Sequence, residues 1–494
     1  MQILEPSEQC RAFLARSHRV LIDGRWEEAR DGETFTSLSP VTGEVLARVP
    51  RCREAEVDLA VLAARKAFEA RVWTGLAPGA RARIMWRAAE LIDANLEELA
   101  ELDCVDNGMP IADARTVGIP FAAEVLRYFS GWCTKIHGSS SSFPKGGRPA
   151  LGYTLRQPVG VAGLIVPWNS PLLMAVVKLA QALAAGCCCV IKPAEQTPLS
   201  AIRLCELLQE AGVPDGVVNL VTGFGEEAGA ALVQHPGVDK IAFTGSTEVG
   251  RSILREAAGN LKRITLELGG KSPVILFDDA NLETAVPALA GSIYRSAGQT
   301  CIAGSRLYVQ RGKYRELVDR LAHWADGLKI GQGLDPATQL GPVVSPEQQC
   351  RVNSYIDLGI AEGATRETAP RPLPPRGCFV PPTVLSDVGD QMRVVREEIF
   401  GPVLCVQPFD DEGEALAAAN RSTYGLAAYV WTKDIQRAHR LAEAIVAGSI
   451  AINCHDPRDL SMPFGGLRQS GWGKEFSADG LDSYLQTKSV FVAL

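Results

Sequence analysis

The stretch SAGQTCIAGSR, residues 296–306, sets Cys301 among the small residues Ala297, Gly298, Ala303 and Gly304. A thiol can do two things in a protein: pack as a small buried hydrophobe, or attack a carbon once ionised. The chain holds 13 cysteines, so packing is the default reading of any one of them. An unperturbed thiol is only a few per cent thiolate near neutral pH. Chemistry at Cys301 therefore requires an activating site assembled from elsewhere in the chain.

Three further stretches carry phosphate-binding residue types. FTGSTEVG (243–250) reads as a strand ending at Phe243, a small-residue turn and a helix starting near Thr247. Backbone N–H groups there, with the Ser246 hydroxyl, suit a pyrophosphate; a simple helix cap is the other reading. GFGEEA (223–228), which contains Gly225, follows a strand and opens a helix. It resembles a dinucleotide-binding turn with Ala in the last place, although an ordinary glycine-containing turn explains it as well. GGKS (269–272) resembles the end of a phosphate loop, but Thr265 stands where the first glycine belongs and a strand follows, so that reading fails. Six scattered histidines, with no CxxC or HExxH spacing, predict no metal site.

These residues need elements to position them. From about residue 158, short apolar runs alternate with helical ones: GVAGLIV, then PLLMAVVKLAQALAAG with Pro171 near its start and Gly186 as its stop. CCCVIKP follows, then TPLSAIRLCELLQEAG, for which Thr197 is the expected cap and Pro198 the first helical residue. VVNLVTG, KIAFTG and RITLEL complete the series, with helices between. Such alternation predicts an α/β fold with a doubly wound parallel sheet. A second α/β stretch starts near SPVILFDD (272–279) and runs to about 465. Residues 138–158, rich in Gly, Ser and Pro, read as a surface loop or an extended arm. Residues 54–70 place Val57, Val61, Ala64 and Phe68 on one face of an amphipathic helix.

At 494 residues the chain predicts two or more domains, and a net charge of −7 argues against nucleic acid as a partner. The odd cysteine count, with Cys187, Cys188 and Cys189 adjacent, points to a reduced, cytoplasmic setting. The N-terminal residues lack the apolar run of a signal peptide, and no segment offers about 18 apolar residues for a membrane span.

Taken together, PWNSP (167–171), KPAEQTP (192–198), FTGSTEVG, LELGGKSP (266–273), GQTC (298–301), EEIFGP (397–402) and PFGGLRQSG (463–471) resemble the NAD(P)-dependent aldehyde dehydrogenase superfamily, in order and spacing, over nearly the whole chain. The resemblance implies an NAD-binding domain (1–137 and 158–267), a catalytic domain (268–470) and a bridging hairpin arm (138–157 and 471–494) that joins subunits into homodimers or homotetramers. It implies that Cys301 is the nucleophile, Glu267 the base that activates water, and the Asn169 amide with the Cys301 N–H the oxyanion donors. Branches of the family that pass the acyl group to coenzyme A usually lack a glutamate at the place of Glu267, so its presence favours hydrolysis to the acid. Lys192 and Glu195 match the residues that hold the adenosine ribose, and a carboxylate there favours NAD over NADP. Gly225, Ser246, Glu398, Phe400 and Trp168 complete the expected cofactor contacts.

Two departures bear on substrate. Family members acting on small aliphatic aldehydes often have bulky side chains where this chain has Ser170 and Val177, which predicts a wider tunnel for a bulky or aromatic, phenylacetaldehyde-like substrate. His455, Arg458 and Phe464 fall where the family builds its aldehyde wall, with Pro457, Leu460 and Met462 beside them. Arg458 permits a rival reading, a semialdehyde dehydrogenase that pairs it with a distal carboxylate, or it is a solvated loop charge. A catalytically silent binding or structural member is a further alternative.

Overall fold

The apolar runs become strands wherever helices on neighbouring segments can bury them. The computed structural model describes residues 3–455 and 457–493, so Asp456 of the loop 453–462 and Leu494 of the expected arm lie outside the described residues. Val161–Ile165, Cys188–Lys192, Val218–Leu220, Lys240–Thr244 and Arg263–Glu267 run parallel. Every residue of the first three is buried. The helices Glu54–Glu69 and Pro171–Ala185 both pack on Cys188–Lys192. Numbered along the chain, these strands lie in the spatial order third, second, first, fourth, fifth. The order reverses between Val161–Ile165 and Lys240–Thr244, which opens a crevice at their carboxyl ends. Val20–Ile22 and Arg25–Glu27 extend one edge of the sheet, and Gly471–Trp472 pairs antiparallel on the other.

The second large sheet has seven strands and its own core. Pro273–Leu276 lies near its middle, between Arg306–Gln310 and Ala427–Trp431. Residues 138–158 form an arm: Ser140–Lys145 and Arg148–Pro158 make a hairpin, onto which Leu485–Ala493 adds antiparallel. Among the described residues no helix is long and apolar enough to cross a membrane.

Local signals explain most helix boundaries. Pro171 occupies the first turn of its helix, and Gly186 ends it at φ 99°, a left-handed value that glycine adopts without strain. One boundary differs from the expectation. The helix after Cys188–Lys192 runs Leu199–Glu210, with Pro198 flanking it and no side-chain cap from its own segment. The Leu199 N–H instead donates to the buried Asp106 carboxylate at 3.0 Å, and the Thr197 hydroxyl donates to the Trp168 carbonyl at 3.4 Å. A tertiary carboxylate has replaced the local cap.

Candidate active site

A cavity of about 820 Å³ opens at the crevice and is lined by both large domains. Cys301, Glu267 and Asn169 share its wall, and Cys301 is the only cysteine on it among the described residues. Ser246, Glu398, Phe400 and Trp168 lie along it, as do Ser170, Val177, His455, Arg458 and Phe464.

Cys301 is delivered by a strained turn. After the helix Leu282–Tyr294, Ser296, Ala297 and Gly298 adopt φ values of 50°, 54° and 72° in succession. At Gly298 a β-carbon would fall 2.2 Å from the Gly401 carbonyl oxygen, so glycine is required there by space as well as conformation. The buried Gln299 side chain pins the turn, donating to the Ser296 carbonyl at 3.0 Å and accepting from the Val344 N–H at 2.9 Å. Gly270 lets another backbone pass: a β-carbon there would lie 2.3 Å from the Cys301 carbonyl oxygen. The Cys301 thiol itself is half-buried, whereas burial pushes the thiols of Cys52 and Cys188 up to about 12.

Asn169 follows the strand Val161–Ile165 and precedes the helix Pro171–Ala185. Its side-chain amide does not cap that helix; Nδ2 donates to the Gln299 carbonyl at 2.9 Å. An amide carries two N–H groups, so this bond uses one of them. The preceding carbonyl, that of Trp168, accepts from the buried Asn107 amide at 2.8 Å. The Trp168 ring meets Phe400 edge-on at 5.2 Å between centroids.

Glu267 ends its strand buried, 4% exposed, and its carboxylate makes no well-formed hydrogen bond among the described residues, the Gly466 backbone being only a weak polar neighbour. Loss of hydration pushes its pKa well above the ordinary carboxylate range, and the Glu475 carboxylate adds to this, against the opposing Lys178 and Lys474. Lys178 and Glu475 form a buried ion pair at 2.7 Å. Glu398 is seated by the two glycines that follow Leu268. Its Oε1 accepts the Gly270 N–H at 2.8 Å, and a β-carbon on Gly269 would lie 2.2 Å from its Oε2. Burial raises the Glu398 pKa to about 7.

Lys192, Glu195 and Gly225 do not line this cavity; they gather beside it at the carboxyl edge of the first sheet. Lys192 ends the strand next to Val161–Ile165, and its buried Nζ stands 3.5 Å from the Glu195 carboxylate. Gly225 opens a turn that runs to Gly229, where an added β-carbon would sit 3.6 Å from Lys192 Cδ. Ser246 caps the helix Thr247–Glu256, its hydroxyl accepting the Val249 N–H at 3.2 Å. That helix start faces the cavity, and the buried Thr244 hydroxyl beside it has no partner among the described residues. A helix N-terminus at the topological switch point, an unpartnered hydroxyl and a lysine–carboxylate pair suited to a ribose all fit a dinucleotide. Among the described residues no group of three or more His, Cys, Asp or Glu converges as a metal-binding set.

Several residues on the wall carry no signal that singles them out in the sequence: Arg295, Asp113, Glu475 and Phe476 line it because distant segments bring them together. Lys178, which stands behind Glu475, does carry one, being a lone lysine inside the apolar run MAVVKLAQALAA.

A doubly wound dinucleotide-type sheet joined to a second α/β domain, with a thiol and a buried carboxyl on one cavity wall, defines an oxidoreductase-like architecture. Residues 26–490 match the Aldehyde dehydrogenase family, and this chain belongs to it. The NAD⁺ complex of an aldehyde dehydrogenase from Bacillus cereus is 45% identical, with a TM-score of 0.97 and all of both chains covered. Aldehyde dehydrogenase 1 of Tanacetum cinerariifolium is 44% identical over 97% of this chain and 96% of its own. The phenylacetaldehyde dehydrogenase of Pseudomonas fluorescens is 42% identical, covering 96% of each chain.

Proposed function

We propose that this chain oxidises an aldehyde to the carboxylic acid with NAD as the acceptor. The observation that carries this reading is the placement of Cys301, Glu267 and Asn169 on one cavity wall. The Cys301 thiolate adds to the aldehyde carbon, and the resulting oxyanion is held by the Asn169 amide and the Cys301 N–H. NAD bound in the crevice would supply the hydride acceptor, and collapse of the oxyanion on the Cys301 adduct, with loss of that hydride, leaves a thioester on Cys301. Glu267 then accepts a proton from the water that attacks the thioester, and the acid leaves as the thiol is restored. Burial raises the Glu267 pKa above the ordinary carboxylate range, which makes its carboxylate a stronger base than a solvated one.

Lys192, Glu195 and Gly225 hold the adenosine end, Ser246 and the Thr247–Glu256 N-terminus the pyrophosphate, and Glu398, Phe400 and Trp168 the nicotinamide end. The Glu195 carboxylate disfavours a 2′-phosphate, which supports NAD over NADP. Ser170 and Val177 leave room on the wall for a bulky or aromatic aldehyde, and a similar protein carries the name phenylacetaldehyde dehydrogenase. The arm sheet, with Phe491 72% exposed, supports a homodimer or homotetramer assembled through it. The deciding experiment is NADH formation from a panel of aldehydes by the wild type and by Cys301→Ser. Aldehyde-dependent NADH that disappears in the variant is expected; none with any aldehyde, or full activity in the variant, refutes the reading.

A further inference from the structure

Ser296 and Thr300 line the cavity, and Gln299, between them, stands behind its wall, 1% exposed. All four of its polar groups are engaged. The backbone N–H and the Nε2 amide both donate to the Ser296 carbonyl, at 3.1 and 3.0 Å. Oε1 accepts the Val344 N–H at 2.9 Å, and the backbone carbonyl accepts the Asn169 amide, also at 2.9 Å.

Each of these bonds reaches a different part of the proposed reaction. Ser296 and Ala297 hold left-handed φ values of 50° and 54°, which a β-carbon disfavours, so the turn that delivers Cys301 needs an outside hold. The doubly bonded Ser296 carbonyl is that hold. The bond from Asn169 orients the oxyanion donor. Val344 lies two residues ahead of the helix Pro346–Ala361, whose side chains grip the nicotinamide end of the cofactor seat. Gln348 Nε2 donates to the Phe400 carbonyl at 2.7 Å, and Arg351 donates to the Glu398 carbonyl at 2.6 Å. Phe400 is itself left-handed, at φ 60°, and so is a second place where strain is held from outside.

Resting on aldehyde oxidation at Cys301, we infer that Gln299 is a positioning residue that sets thiol, oxyanion donor and nicotinamide seat in one geometry. A planar amide with its donor end on Ser296 and its acceptor end on Val344 cannot rotate without losing both bonds. Misplacing reacting groups by a fraction of their contact distance slows the chemical step while leaving cofactor binding in place.

The test uses the full-length enzyme, NADH formation from an aldehyde that the wild type oxidises, and NADH binding followed by fluorescence. Gln299→Met keeps the length and loses both side-chain bonds. Its kcat is expected to fall by about ten-fold or more, with the KM for NAD and the NADH Kd within about three-fold of wild type. Gln299→Glu supplies the signature. Protonated, the carboxyl reproduces both bonds; ionised, it sets an anionic oxygen against the Ser296 carbonyl. Burial raises the pKa of such a group, so the Glu-to-wild-type ratio of kcat should drop by about ten-fold or more from about pH 6 to about pH 9. The Met-to-wild-type ratio should stay flat. A carboxylate acting only by its charge would raise the thiol pKa and let the ratio recover as pH rises, the opposite slope. Gln299→Asn, one methylene too short for both partners, should lose kcat as Met does and serves if either variant does not fold. A smaller kcat loss in Met or Asn, a loss that falls on the KM for NAD instead, or a Glu ratio that is flat or rises with pH overturns the inference while aldehyde oxidation stands. No NADH from any aldehyde with the wild type overturns both.

Discussion

The Asn169 side-chain amide donates to the backbone carbonyl of Gln299 at 2.9 Å, two residues before Cys301. One domain's strand-to-helix turn is thereby tied to the other domain's thiol loop, across the crevice between them. The bond fixes the amide plane, and with it the direction of the second N–H that the proposed reaction needs for an oxyanion.

Asn169→Ala should lower kcat by about 100- to 1,000-fold, the usual cost of losing one oxyanion donor. Asn169→Asp should be no better, because a carboxylate can neither donate to Gln299 nor stabilise an oxyanion. Steady-state kinetics with NAD saturating would measure this. A loss under about five-fold would show that the amide acts only as a strut.

Glu267→Gln separates the two half-reactions. Acylation needs no base at that place, so one equivalent of NADH should appear in a burst, followed by turnover slowed by about 100-fold or more. Stability should move the other way. The folded-state pKa of Glu267 lies well above its ordinary 4.5, so its contribution to stability is full below about pH 4.5 and is lost as pH rises toward the folded value. Urea unfolding should therefore find Glu267→Gln more stable than wild type at about pH 8, with the gap closing on acidification. A gap that widens on acidification would contradict the burial argument.

Much of this site is legible in the sequence, and the reason is chemical. Cys301, Glu267 and Asn169 sit in short runs whose backbone demands are also written locally: Gly298 for a left-handed turn against Gly401, and Gly269 and Gly270 for the approach of Glu398 and the Cys301 carbonyl. Strand–helix alternation reveals the first sheet because all-buried strands need continuous apolar runs. What local sequence does not show are contacts between distant segments. Thr197 looks like a cap, yet Asp106, far back along the chain from Leu199, takes that bond. Arg295 carries no local signal, and only the fold brings Asp113 and His455 to it.

Cofactor choice should turn on Glu195. Lys192 Nζ stands 3.5 Å from its carboxylate and also donates to the Pro193 carbonyl at 2.9 Å. Glu195→Ser removes the negative charge and leaves the buried lysine available to a 2′-phosphate. The ratio of kcat/KM for NADP to that for NAD should rise by about ten-fold or more, mostly through KM. A ratio that stays where it was would move the discrimination elsewhere in the adenosine seat.

The Lys178–Glu475 pair makes the sharpest stability prediction. Both side chains are buried, 0% and 7% exposed, and they meet at 2.7 Å close behind Glu267. Removing one partner strands the other charge in a medium that hydrates it poorly. Lys178→Met should accordingly cost about 3–5 kcal/mol in urea unfolding near neutral pH. It also takes from Glu267 the stronger of the two cations that lower its pKa, so the limb of the turnover–pH profile that reports Glu267 ionisation should move upward. Adding Glu475→Leu removes the stranded carboxylate and should recover most of the lost stability, since a well-packed apolar pair commonly matches a buried ion pair. The same second substitution deletes the carboxylate that raises the Glu267 pKa, so the pH limb should move back down. A double variant as unstable as the single one would mean that Lys178 matters through packing of its stem, and not through its charge.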